Sequence, residues 1–135
     1  MLAPNHLLLS WLGAAALLHN RRERILVAYS GLASDLDGFG WLYDQFNNST
    51  HLYLAFHHKP GHGIFAAIIF AVAVGWLARC QRLKAALCAF AAVHLHILCD
   101  LVGSQGADGF QWPIYYFYPF FPDVEITLDL QWDIN

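Results

Sequence analysis

The sequence predicts an all-α fold: a small antiparallel helical bundle embedded in a membrane, followed by an irregular aromatic segment and a short C-terminal β-strand. Three observations carry this expectation. Of 135 residues 58% are hydrophobic and only 13% charged, with a mean hydropathy of +0.41, more apolar than an ordinary soluble domain. The apolar residues gather into helix-length runs. The basic residues punctuate those runs instead of spreading along them. Residues 1–135 have the length of a single domain. A buried helix of a soluble bundle is the alternative reading of the same runs.

A first helix is expected from Asn5, the right residue type for an N-cap, to His19. Its apolar stretch, Leu7 to Leu18, has the length of a signal-peptide core. No positive charge precedes it, however, and Arg21, Arg22 and Arg24 follow it, the wrong order for a cleaved signal. A second, shorter helix is expected over Glu23 to Ala33, then a loop at Asp35-Leu36-Asp37-Gly38. Ile64 to Ala78 and Leu83 to Val102 form an antiparallel helical hairpin around Arg79 to Arg82. The first arm of that hairpin would rise only about 22 Å, a marginal span of a membrane. Ser104 to Gly109 reads as a loop. Trp112 to Pro122 crowds aromatic residues around Pro113, Pro119 and Pro122, which forbid a continuous helix. Val124, Ile126, Leu128, Leu130 and Trp132 then alternate with polar residues, the period of a half-buried strand, with Thr50 to Phe56 or another chain as its partner.

Six of the seven basic residues lie in two turns, Arg21/Arg22/Arg24 and Arg79/Arg82/Lys84. In an up-down bundle both turns fall at one end. Lys and Arg mark the cytoplasmic side of a membrane, so the opposite end faces away from the cytoplasm. That end collects His6, Asp35, Asp37, His57, His62, His96 and Asp100. The localisation expected is an inner membrane crossed several times.

A net charge of -3 with few cations excludes a duplex nucleic acid as partner. Cys80, Cys88 and Cys99 are odd in number and form no CxxC, which points to neither a disulfide framework nor a thiolate zinc site.

The chemistry concentrates in His57-His58-Lys59-Pro60-Gly61-His62 and His94-Leu95-His96-Ile97-Leu98-Cys99-Asp100. Burying several imidazoles and a carboxylate is costly without a partner, and a metal ion is the partner that brings them together. His96 and Asp100, spaced i, i+4, project from one helix face. His94 points about 160° away from His96, which suits an interhelical contact better than a ligand. Asp35 and Asp37 can converge on a cation, and His57 and His62 flank a Pro-Gly turn. The metal-ligand set expected is His6, Asp35, His57, His62, His96 and Asp100. His58 and Lys59 are candidates for binding an anionic substrate. Asp37 and Asp35 are the candidate catalytic carboxylates, Asp37 foremost as general base.

These elements resemble the membrane-bound metal-dependent hydrolases of the YdjM-like group. That family's early His, P-D-x-D, H-R-G-x-T-H-S and H-x-x-x-D with a following W-P-F are matched here by His6, by Ser34 to Asp37, by His57 to Gly63, and by His96 to Asp100 with Trp112-Pro113-Ile114. Ser34 replaces the proline, His58 the arginine, Gly61 the threonine and Gly63 the serine. The group is also distantly similar to zinc-dependent phospholipases C and single-strand nucleases, a likeness that implies a phosphoester substrate. Those enzymes carry further ligands after H-x-x-x-D. Here no histidine follows His96, and Asp108 and Glu125 are the nearest substitutes, so one or two ions are expected instead of three.

The function expected is metal-dependent hydrolysis of a small-molecule or lipid phosphoester at the membrane, using Zn²⁺, with Mn²⁺ or Fe²⁺ also compatible with nitrogen and oxygen ligands. A non-enzymatic membrane protein binding metal or haem is the alternative. The carboxylates at the histidine end speak against haem, whose iron takes none of them.

Overall fold

The structure, a computed structural model, describes residues 3–47, 51–105 and 109–132. Its helices are α1 (Ala3–Leu17), α2 (Arg21–Ala33), α3 (Gly40–Phe46), α4 (Leu52–Phe56), α5 (Ile64–Leu77) and α6 (Arg82–Gly103), with a 3-10 helix over Ser34–Phe39. The helix expected from Asn5 begins two residues earlier, with Pro4 in the first turn, where its missing N–H leaves no bond unmade. Asn20 caps α2, its side chain accepting from Arg22 N at 2.8 Å. The loop expected at Asp35 to Gly38 is helical, continuing α2 in a tighter winding. Residues 40–46 and 52–56, for which the sequence suggested no helix, form α3 and α4. Asp44 joins these two short helices by accepting from Leu52 N and Tyr53 N at 3.0 and 2.9 Å.

The bundle is α1, α2, α5 and α6, with α5 and α6 forming the hairpin and α2 packed against both α1 and α6. Its interior is built of small side chains. Ala14, Ala78, Ala85, Ala89 and Ala92 pack with Leu18, Val27 and Val74, while Ala67, Val93, Ile97 and Ile114 form a second cluster nearer the histidines. Large apolar residues point outward instead: Trp76 is 79% exposed and Leu83 74%, and Ile69, Val72 and Leu87 are also exposed. Small residues inside and large apolar ones outside is the packing that helices adopt in lipid, where close approach of backbones supplies the attraction. Gly31 marks one such approach. A Cβ there would overlap Ser10 Oγ and lie 2.8 Å from Ser10 Cβ, so α1 and α2 can cross only over glycine.

The two basic turns meet, as the charge pattern predicted. Buried Glu23 accepts from Cys80 N and Gln81 N at 2.8 and 3.1 Å, and Arg22 donates to Leu77 O at 3.3 Å.

No C-terminal strand forms among the described residues. One antiparallel bridge pairs Ile114 with Ile126, and residues 122–130 are exposed. The ladder stops because the backbone beyond Ile114 bonds elsewhere: Tyr115 N donates to His58 O at 3.2 Å, and Tyr116 O accepts from Ile64 N at 3.0 Å. Thus the aromatic segment straps the histidine loop. Part of the expected partner, Thr50, lies outside the described residues. The tail returns to α6 through Trp132 N donating to Val102 O at 2.7 Å.

Candidate metal centre

Four elements deliver buried polar side chains to the end of the bundle opposite the basic turns. His6 comes from the first turns of α1, Asp35 from the 3-10 helix, and His58 and His62 from the loop before α5. His96 and Asp100 come from adjacent turns of α6. All except Asp35 are buried. Asp100 is central: its Oδ1 lies 3.1 Å from His6 Nε2, and its Oδ2 lies 2.9 Å from His96 Nε2 and 3.3 Å from His62 Nε2. The Nε2 atoms of His62 and His96 are themselves 2.9 Å apart, and Asp35 Oδ1 is 3.5 Å from His96 Nε2.

These atoms divide into two groups that share Asp100. His6, Asp35, His96 and Asp100 form one, and His58, His62 and Asp100 the other, with the ligand atoms of each group within 4.8 Å of one another. The donor set fits a borderline cation such as zinc. Unmade hydrogen bonds point the same way. Both ring nitrogens of His6, Asp35 Oδ2 and His58 Nδ1 are buried without a hydrogen-bond partner, and His6 Nε2, though close to Asp100, is off the line of a bond. Buried polar atoms left unpaired are costly, and a shared cation would satisfy them together.

Behind His62 stands Asp37. Its Oδ2 accepts from His62 Nδ1 at 2.8 Å and from Gly61 N at 3.2 Å, and its Oδ1 lies 3.1 Å from His57 Nδ1. This is the carboxylate–histidine arrangement that sets the tautomer of a metal ligand, leaving Nε2 to face the site. Burial alone would raise the Asp37 carboxyl, but bonds from His57 and His62 and their charge hold it well below the usual range. Burial alone would lower His62. Its bonds to Asp100 and Asp37, with their negative charge, push it up to about 9. His58 is held well below its ordinary value, first by burial and then by the charge of His62 and His57.

The expected residues therefore occupy different places. His6, Asp35, His62, His96 and Asp100 converge. His57, expected as a ligand, lies outside both groups, bonded to Asp37 and stacked on Tyr53 with ring centroids 4.5 Å apart. His58, expected at the substrate, lies within the second group. Its backbone adopts φ 64°, a left-handed conformation uncommon outside glycine. Lys59 sits over the Tyr115 ring, 4.9 Å from its centroid. Asp37, expected as general base, has both oxygens engaged. Asp108 lies outside the described residues, and Glu125 accepts from Tyr115 Oη at 2.9 Å. His94 bonds Phe90 O and Tyr116 Oη at 2.8 and 2.9 Å, outside both groups.

Trp112, from the aromatic segment whose residues could equally gather at a membrane interface or wall a cleft, walls the site here, with ring contacts to Tyr53, His57 and His58. Nothing in the sequence signalled Gln131, whose side chain bonds both Trp112 N and Trp112 O at 3.0 Å. The alternation around Gln131 read as a strand, and its burial has no signature in a polar residue near the chain's end.

The family model of the YdjM inner membrane protein matches residues 1–130. The chain belongs to the YdjM inner membrane protein family. No curated protein and no solved structure matches it. Family membership agrees with α6, the one helix among the described residues long and apolar enough to cross a membrane, with α5 as a shorter apolar companion.

Proposed function

We propose that this chain is a metal-dependent hydrolase that holds one or two Zn²⁺ ions and cleaves a phosphoester at the membrane. The observation that carries the reading is the convergence of His6, His62 and His96 Nε2 on the Asp100 carboxylate, with unpartnered buried nitrogens around it. His6, Asp35, His96 and Asp100 would hold one ion, and His58 and His62 with Asp100 a second. Bound zinc supplies Lewis acidity and a water of lowered pKa. The chain's own residues do the rest. Asp37 orients His62, and Asp35, which lines a cavity beside the two groups, would accept the proton through whichever oxygen does not hold the ion. Trp112 limits water beside His57 and His58. The phosphoester part of this proposal rests only on the distant resemblance of the sequence motifs to zinc-dependent phospholipases C and single-strand nucleases.

Ions suit this geometry better than haem. The His6 and His96 rings are 3.7 Å apart, which leaves no room for a porphyrin between them.

The test is metal analysis of detergent-purified protein beside a phosphoester panel, for the wild type, His96→Ala and Asp100→Ala. Both variants should lose metal and turnover with helical content retained. Unchanged zinc in both would overturn the site.

A further inference from the structure

A cavity of about 660 Å³ is lined by residues of the candidate metal centre and by large apolar side chains. Its lining joins Asp35, His58 and Asp100 to Leu36, Phe39, Trp41 and Leu42 from the 3-10 helix and α3. A phosphate group would fill only a small part of that volume, which is in the range of pockets enclosing whole organic ligands. The wall residues are not sealed in a core: Leu36, Phe39, Trp41 and Leu42 are all about half exposed, and the same arm continues outward into exposed Tyr43, Phe46, Leu54 and Phe56. An apolar surface this continuous marks a contact surface, and Trp and Tyr favour the membrane–water boundary. One cavity thus brings candidate cation ligands together with exposed apolar side chains, in a chain of an inner membrane family.

We propose that the substrate of this site is a membrane amphiphile. Its phosphate group sits at Asp35, His58 and Asp100 through the bound cation, and its apolar tail lies along Leu36, Phe39, Trp41 and Leu42. The 3-10 helix and α3 form the lateral entry by which a lipid leaves the bilayer without crossing water. This rests on the hydrolase reading for the reaction but not for the binding.

The experiment uses the full chain, zinc-loaded, in vesicles of phosphatidylcholine, with a long-chain alkyl phosphate bearing a photoreactive diazirine midway along its chain. Cross-links should concentrate on residues 36–42 and be displaced by unlabelled alkyl phosphate but not by the matching alcohol. Leu42→Asp places a carboxylate in the wall and should cut this labelling about tenfold, because the tail would then lie against an unpaired charge. Leu42 is half exposed, so its replacement leaves the core untouched. Trp41→Ala is a second variant and should weaken labelling without adding charge. Labelling spread over the outer faces of α5 and α6, or not displaced by the phosphate, would overturn the proposal. So would equal labelling in both variants and wild type. A chain labelled at residues 36–42 but inert toward every phosphoester keeps this inference and removes the hydrolase reading. A chain that cleaves short and long esters with the same KM, and lacks the labelling, does the reverse.

Discussion

Asp37 and Asp100 are both buried carboxylates among histidines, and they differ in what their oxygens face. Asp100 meets three Nε2 atoms, whereas Asp37 meets the Nδ1 atoms of His57 and His62. Removing Asp37 leaves the ligands present but His62 unoriented. Asp37→Asn should therefore weaken zinc affinity by about 10–100-fold, the cost typical of losing such a partner, while Asp100→Asn should abolish retention. Competition titration with a zinc chelator distinguishes the two. His62 also sets a pH dependence. In the metal-free protein its pKa is raised to about 9, so its pairing stabilises the fold fully below its unfolded value near 6.5, and that contribution is lost as pH rises toward 9. Asp37, shifted down, contributes above about pH 4 and loses its contribution as pH falls further. Metal-free thermal stability should peak between those limits. Zinc must displace the proton on His62, so its apparent affinity should climb by up to about tenfold per pH unit across the same rise toward 9. Calorimetric titrations at pH 6, 7 and 8 measure it, and a flat profile would count against His62 as a ligand. His96 and Asp100 were legible in the sequence because i, i+4 spacing on an apolar helix fixes their common face. The exchange of places between His57 and His58 was not legible, because it depends on the left-handed φ of His58, which adjacent identical residues conceal. His58→Gly relieves that backbone while removing the ring. It should keep or raise thermal stability and still lose bound zinc, a combination that a purely structural histidine would not produce.

At the scale of elements, Glu23 is the buried side chain that ties α2 to the hairpin turn. Glu23 is fully buried and accepts from two backbone N–H groups at Cys80 and Gln81. Glu23→Ala leaves both donors unpaired and should cost roughly 2–3 kcal/mol of stability, whereas Glu23→Gln keeps an acceptor and should recover most of it. Denaturant unfolding in detergent reads the difference, and zinc content should stay unchanged in Glu23→Gln because the centre lies at the other end. Helices α1, α2, α5 and α6 were legible from uncharged runs broken by basic turns, and their ends moved by only a few residues. The strand was not. Strict alternation over Val124 to Trp132 signals a strand only when a neighbour offers free backbone, and here Tyr115 and Tyr116 spend theirs on His58 and Ile64. Helices α3 and α4 were equally hidden, since their anchor is Asp44 reaching across the turn and not any periodic face.

For the whole molecule, what matters is which way the bundle sits. Helix α6 rises about 33 Å over its 22 residues, enough for a full crossing, with Arg82 and Lys84 at one end and Asp100 one turn from the other. The antiparallel α5 returns the chain, and the turns holding Arg21, Arg22, Arg24, Arg79, Arg82 and Lys84 meet through Glu23 at a single end. We propose that the concentration of cations there holds that end at the cytoplasm and the candidate metal centre away from it, with more than one helix crossing. The chain carries its own reporter of the claim. Cys80 is exposed in the basic turn, whereas Cys88 and Cys99 are partly covered on α6. Lys59→Cys adds a second reporter beside the metal centre, in the loop between α4 and α5. In intact cells a membrane-impermeant maleimide should label the cysteine at position 59 and spare Cys80, and after lysis both should react. Labelling of Cys80 with protection at position 59 would invert the orientation. Labelling of both in intact cells would show that the two ends share one side of the membrane, which a bundle spanned by α6 does not allow.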